Sequence, residues 1–231
     1  MTGTATRPAA DQPQAAPTGG PTGAGDLLAL DPAAQDLLAL EPAAQDLLFR
    51  AARTANTFTD EPVTDAQVRA IHDLVRYGPT ALNAQPLRIL LLRSPAARAR
   101  LLPHVSRGNR AKTAAAPLVA VLAADVDFHD RLPELFPHQP RARDWLGDRA
   151  ERVAQARFNA TLQIGYVVVG VRAAGLAAGP MAGFDPVGVR QEFFPDGRHE
   201  VLLLMNIGRP GPHAWHDRLP RLDAAEVITT L

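Results

Sequence analysis

The segment from Glu151 to Leu176 limits the fold of this chain more than any other. From Leu162 onward its apolar residues surround the axis almost completely. That pattern predicts a long helix, central and buried. The run Val167-Val168-Val169 would also suit a strand, but the length of the segment favours helix. Gly175 and Gly179 end it. The most apolar stretch in the chain, Ile164 to Phe184, is interrupted by Arg172, several glycines and Pro180. It therefore reads as a buried helix plus a turn and not as a membrane span, and no membrane partner is expected.

Helices and strands alternate around that segment. Thr64 opens a helix running to Tyr77, with Val68, Ile71 and Leu74/Val75 on one face. Arg88 to Arg93 reads as a buried strand, Pro95 to Leu102 as a short helix, and Lys112 sits on another short helix ended by Pro117. Leu118 to Ala124 is a second strand, Asp185 to Phe193 a further helix, and Val201 to Ile207 a final strand. Residues 125–148, rich in Pro, His, Arg and Asp, form a long irregular excursion of the kind that serves as a lid or binding loop. Mixed elements around a central helix indicate an α+β domain.

The ends are simpler. Residues 1–30 make an Ala/Pro/Gly-rich tail with almost nothing to bury and are expected to be disordered, leaving one domain over 31–231. A ten-residue unit, Asp26 to Gln35, recurs as Asp36 to Gln45 and starts again at Asp46. Its period is too short for a solenoid and suits a tandem duplication of first helical turns, with prolines 32 and 42 in first-turn positions and the last segment near 43–54.

Composition removes several kinds of chemistry. Twenty-four basic residues cancel 24 acidic ones, so no net field draws the chain to nucleic acid. The lack of cysteine excludes disulfides, thiolate nucleophiles and Cys-held metals, and fits a reducing cytoplasm. The first residues, to Gly25, show no apolar secretory core. Asp125, Asp127, His129 and Asp130 cluster after a strand, with His213 and His216 near the end. Such loop clusters are usually solvated, and no metal is assigned to them, although a metal hydrolase built on them remains a rival reading. No Gly-x-Ser-x-Gly elbow, Walker loop or Gly-x-Gly-x-x-Gly fingerprint is present, and no catalytic side chain is assigned.

Four separated pieces make a better case. They are Arg53-Thr54-Ala-Asn56, the turn Gly78-Pro79-Thr80-Ala-Leu-Asn83-Ala-Gln85-Pro86, Asn109-Arg-Ala-Lys112, and Gly179-Pro180-Met-Ala182-Gly183-Phe-Asp185. Together they supply cations for a phosphate, amides for a heteroaromatic edge, and glycine where backbone must approach a flat ligand. Lys112 is the only lysine in a chain whose other basic residues are all arginine. A compact ammonium fits where a planar guanidinium would crowd a ligand.

On these residues the chain resembles the nitroreductase-type FMN oxidoreductases over roughly Leu47 to Pro210. Through Arg131-Leu-Pro-Glu-Leu-Phe-Pro-His138 it resembles their malonic semialdehyde reductase-like (3-hydroxypropanoate dehydrogenase) branch. The resemblance implies a nitroreductase-like fold, with a central antiparallel or mixed sheet packed by helices around the long helix. It also implies a domain-exchanging homodimer with FMN at the interface. It implies tightly bound FMN, reduced by NADH or NADPH, passing hydride to a small electrophile. Malonic semialdehyde is one acceptor, and enones, quinones, nitro compounds or dehydroamino acids are others.

By the same resemblance, Arg53 with its polar partner Asn56, and Thr54 between them, bind FMN, and Arg218 binds its phosphate. Pro79, Thr80, Asn83 and Gln85 meet the ribityl chain and ring edge. Asn109 and Lys112 approach the pyrimidine, and Pro180, Ala182 and Gly183 lie near N5. Arg131 and His138, in a lid over 127–148, are candidates for the substrate. The chain departs from the family pattern at Asn56 and Thr57, neutral where a basic residue is usual, and at Ala81 and Leu87. A flavin-binding scaffold without turnover is the rival from another class.

Overall fold

The computed structural model describes residues 38–231. The tail expected up to residue 30 and the first copy of the repeat lie outside them. Leu40–Leu231 forms one compact unit. Its first helix, α1 (Pro42–Gln45), begins with proline in the first turn, where a missing N–H costs nothing. The path then widens over Asp46–Arg50 into a turn bonded five residues apart, Ala51 N–H donating to the Asp46 carbonyl at 2.9 Å. The helix thus ends short of the expected residue 54.

Helix α2 (Asp65–Val75) starts where the Thr64 hydroxyl accepts from Gln67 N–H at 3.1 Å and the Gln67 side chain accepts from Thr64 N–H at 2.8 Å. This reciprocal cap satisfies two otherwise orphaned donors. Strand β1 (Leu87–Leu92), helix α3 (Pro95–Leu101), helix α4 (Arg107–Ala115) and strand β2 (Leu118–Asp125) follow, close to their expected bounds. The excursion carries a short helix, α5 (Leu132–Leu135), and packs Phe128, Leu132 and Ala142 onto Ala156 and Ala160 of the long helix α6 (Arg149–Ala173). Strand β3 (Ala177–Met181), helix α7 (Pro186–Phe193), strand β4 (His199–Gly208) and helix α8 (Ala224–Val227) complete the unit.

The sheet runs β1-β2-β4-β3 with every pair antiparallel. Every residue of β2 is buried, so its side chains divide between two cores by strand alternation. Leu118, Ala120 and Leu122 pack with Ile71, Ile164, Val167 and Val171 under α2 and α6, whereas Val119 and Val121 pack with Leu101, Val105, Val189 and Leu204 on the other face. Burial of two faces explains why Leu118 to Ala124 reads as a continuous apolar run.

Two expectations need correction. The turn expected after the long helix is the edge strand β3, because Gly175 at φ +70 reverses the chain and the free edge of β4 supplies backbone partners. Pro180 is tolerated there because an edge strand has bonds to spare. Helix α6 is also not buried all round. Ile164, Val167, Gly170 and Val171 face the core, but Phe158, Leu162 and Tyr166 are exposed on the opposite side. A Cβ on Gly170 would lie 2.3 Å from Val75 Cγ1, so glycine is what lets α2 and α6 close.

Candidate active site

The backbone from Asn56 to Thr59 runs antiparallel to the segment that follows β4. Asn56 N–H donates to the Ala214 carbonyl (3.0 Å), Gly211 N–H to Thr57 (3.0 Å), and Thr59 N–H to Arg209 (3.0 Å). This pairing brings Arg53 beside the chain end, where its guanidinium donates to the His216 carbonyl at 2.8 Å. Arg218 arrives from the other side and donates to the Arg50 carbonyl. Burial, then the neighbouring charges of Arg53 and Arg221, pull the Arg218 guanidinium below its ordinary value, and its buried Nε has no partner. Cations that repel one another around an unmet donor are a site that an anion would relieve.

Helix α4 presents Asn109 and Lys112 one turn apart on a single face. Lys112 Nζ lies 3.4 Å from Asn56 Oδ1, which joins the first and third sequence pieces. Asn109 Nδ2 lies 3.3 Å from the Gly183 carbonyl, which also accepts from Ser106 N–H at 3.0 Å, and so joins the third and fourth. A Cβ on Gly183 would come within 2.6 Å of Asn109 Nδ2 and 2.7 Å of Ser106 Oγ; one on Gly179 would come within 3.1 Å of the Ala55 carbonyl. Glycine at both positions lets these segments approach closely, and a side chain at 183 would have to displace Asn109 and Ser106. Beneath them lie two buried polar residues that no sequence motif marks: Asn206 on β4 and Thr113 on α4, whose side chains are 3.5 Å apart. Asn206 Oδ1 is left without a partner.

The proline turn is not with them. It sits at the other end of β2, since Leu87 pairs with Ala124 and the Asp125 N–H donates to the Pro86 carbonyl at 2.9 Å. With Lys112 just before Leu118, the two places are separated by roughly 20 Å of extended strand. The turn itself is held hard. Leu82, Asn83 and Gln85 all have positive φ (55, 51 and 45). Thr80 Oγ1 accepts from Gln85 N–H at 3.2 Å, and buried Asn159 of α6 accepts from Ala81 N–H at 2.7 Å. Arg88 donates to the Gln85 carbonyl at 2.9 Å while its other nitrogen meets Asp125 at 2.8 Å.

Asp125 is buried and also takes two bonds from Arg198, at 2.8 and 3.0 Å, and one from Asp127 N–H at 3.0 Å. Burial alone would raise its carboxyl, but the Arg198 hydrogen bond and the Arg88 charge outweigh it and hold the group below the usual carboxylate range. A carboxylate so committed is an ion-pair pin, not a metal ligand. Among the described residues no group of three or more His, Asp or Glu is arranged to hold a metal ion.

The excursion meets the proline turn through Asn83 Nδ2, which donates to the Leu135 carbonyl at 2.9 Å. Its cations are largely matched by its own acids: Arg131 bonds Glu134 at 2.8 and 2.9 Å, and Arg143 meets Asp130 at 2.8 Å. His138 packs against Phe136 with ring centroids 3.9 Å apart and planes tilted by 57°. Among the described residues no helix is long and apolar enough to cross a membrane.

Comparison with known proteins bears on this arrangement. The family model described as the nitroreductase family matches residues 49–209. A Streptomyces coelicolor protein carrying the name NADH dehydrogenase/NAD(P)H nitroreductase is 64% identical over 205 residues, covering 88% of this chain and 99% of its own. Among solved structures, a Bacillus subtilis protein described as a nitroreductase superposes with a TM-score of 0.72 at 19% identity, covering 83% of this chain and 100% of that one. An Exiguobacterium sibiricum protein, also described as a nitroreductase and solved in complex with FMN, gives 0.72 at 16% identity, covering 81% and 96%. At such identities the structures share the fold.

Proposed function

This chain belongs to the nitroreductase family, and on that premise we propose that it is an FMN-dependent oxidoreductase that passes hydride from NADH or NADPH to a small electrophile. The observation that carries this is the meeting of three separated segments at Lys112, Asn56 and Gly183, beside the unneutralised arginines 53 and 218. The residues fit the cofactor: among the described residues the buried Arg218 Nε has no partner and would meet an anion, and the buried Asn206 Oδ1 is also without one. Bound FMN supplies the hydride-transfer chemistry.

The chain's own residues bind and orient. Arg53 and Arg218, with Thr54 beside them, hold the phosphate by charge-assisted bonds. Lys112, steered by Asn56, holds positive charge at the edge where negative charge gathers on reduction, and Asn109 faces the same pyrimidine. Pro180, Ala182 and Gly183 present backbone to the reacting edge.

The same reading takes the protein to be a homodimer. Pro79, Thr80, Asn83 and Gln85 lie at the Ala124 end of β2, about 20 Å along the strand from the Leu118 end that Lys112 precedes, and on this reading a second copy supplies them. The exposed stripe of Phe158, Leu162 and Tyr166 on α6 supports such an interface. The excursion, tied to the turn through Asn83 and Leu135, is the lid, with Arg131 and His138 at its rim. Malonic semialdehyde, reduced to 3-hydroxypropanoate, is the specific acceptor we favour, in the cytoplasm; an enone, quinone, nitro compound or dehydroamino acid is the alternative.

The test is direct. The purified protein is expected to be yellow, to lose its flavin absorbance on anaerobic addition of NADH or NADPH, and to regain it with an acceptor from a panel of aldehydes, quinones and nitroaromatics. A colourless protein that rejects added FMN would instead favour the scaffold without turnover.

A further inference from the structure

Strand β3 ends at Met181 opposite Leu204, so the edge of β4 before that point is uncovered on that side. A pocket of about 250 Å³ opens there. Ala182 and Phe184 form one wall and Leu202 part of the floor, while Arg157 of α6, Arg190 of α7 and Glu200 of β4 bring charge to it. Its volume holds about eight water-sized groups.

The state of those two arginines distinguishes the pocket. Arg131, Arg143 and Arg198 each meet a carboxylate at 2.7–2.8 Å. Glu192, on the same helix as Arg190, is bonded by Arg100. Among the described residues Arg157 and Arg190 have no carboxylate partner, and Glu200 shares the cavity without bonding either. Two guanidiniums that line one cavity and, among the described residues, bond no carboxylate leave their donors available to an anion. Glu200 narrows the choice, because a like charge at close range repels a dianion more than a monoanion.

We propose that this pocket binds the carboxylate of a small monocarboxylic acid, with Arg157 and Arg190 as its ligands and Glu200 as the group that turns dianions away. The inference rests on the flavin reading above, in which Ala182 and Gly183 lie at the reacting edge; the pocket then opens beside that edge and selects acceptors that carry an acid group. It assigns acid recognition to α6 and α7, away from Arg131, which Glu134 already holds.

Calorimetric titration of the full chain with butanoate and with its uncharged isostere butanamide tests it, after the flavin absorbance of each preparation has been read. The parent protein is expected to prefer butanoate. Arg157→Gln and Arg190→Gln are each expected to weaken butanoate about tenfold or more, the value of a charge-assisted bond, with butanamide little changed. Glu200→Gln, which removes no cation, is expected to tighten butanoate and to admit a dianion such as succinate. A yellow protein that binds the acid no better than the amide, or whose affinity is indifferent to all three substitutions, overturns the pocket and leaves the flavin reading standing. A colourless protein that still selects butanoate through the two arginines supports the pocket and overturns the flavin reading.

Discussion

The two ends of strand β2 carry similar polar material in opposite states. At the Asp125 end a buried carboxylate accepts from two arginines and a backbone amide, and the neighbouring turn is tied down by Thr80, Asn159 and Arg88. At the Leu118 end, among the described residues, Arg218 Nε and Asn206 Oδ1 have no partner, and Lys112 Nζ hydrogen-bonds Asn56 alone, at 3.4 Å. Buried polar groups that are fully bonded specify structure, whereas those left short beside cleared backbone mark where something else completes the bonding. On the proposed reading the pinned turn at the first end holds its shape, and the unpaired groups at the second receive the flavin.

That contrast is broken most severely at the satisfied end. Arg198→Met leaves the buried Asp125 carboxylate to Arg88 and the Asp127 N–H and should cost about 3 kcal/mol in urea unfolding, the lower end for breaking a buried pair. The acid limb sharpens the point. Because the Asp125 carboxyl is held below its ordinary value, its contribution is present above the unfolded carboxylate value of about 3.9 and is lost as pH falls through the depressed folded value. The stability gap between the parent and Asp125→Asn should be flat from neutral pH to about pH 5 and should shrink only in stronger acid. A gap that already closes above pH 5 would contradict the pin.

At the open end the effects should fall on the flavin and spare the fold. Lys112→Met should slow NAD(P)H-driven reduction by on the order of a hundredfold and lower the flavin potential, with modest loss of FMN. Lys112→Arg should not restore the rate, because a planar fork crowds the ring edge. Potentials matching the parent would remove Lys112 from the site. Arg218→Ala should weaken FMN retention by about ten- to a hundredfold. The apoprotein should melt no lower, since its arginine is repelled by Arg53 and Arg221; an apoprotein that unfolds more easily would make Arg218 structural. The smallest effect is expected at Arg131, whose exposed pairing with Glu134 is worth about 0.2–1 kcal/mol. A large change in either stability or acceptor KM on Arg131→Ala would show the lid charges to be engaged.

Much of the frame was legible before any coordinates. Helix α2 announces itself by period and by Thr64, because burial of one helical face imposes a pattern that survives in sequence, and α6 by the length of its apolar segment. Strand β3 carries no such pattern. Ala177-Ala-Gly-Pro-Met181 has weak strand preference and becomes a strand because β4 offers an unpaired edge. The exposed side of α6 was misjudged for the opposite reason: Leu162 and Tyr166 are apolar, and sequence alone does not separate a face turned to the core from one left open.

At the site, the Arg53, Lys112 and Gly183 pieces were recognisable as residue types at short spacing. Asn206, Thr113 and Asn159 were not, since a single side chain bonding to a distant segment leaves no periodic mark. Nor does spacing reveal that an antiparallel strand would carry the proline turn to the far end of the sheet.

That separation gives the decisive measurement. One chain carries Arg53→Ala with Arg218→Ala, the other Asn83→Ala with Gln85→Ala, and each alone should retain little FMN. If two copies share each site, unfolding and refolding an equal mixture pairs intact arginines from one chain with an intact turn from the other. About one quarter of the parental flavin sites and activity should return, the statistical yield for random pairing in a two-fold dimer. A mixture no better than the mean of its two components would contradict a shared site.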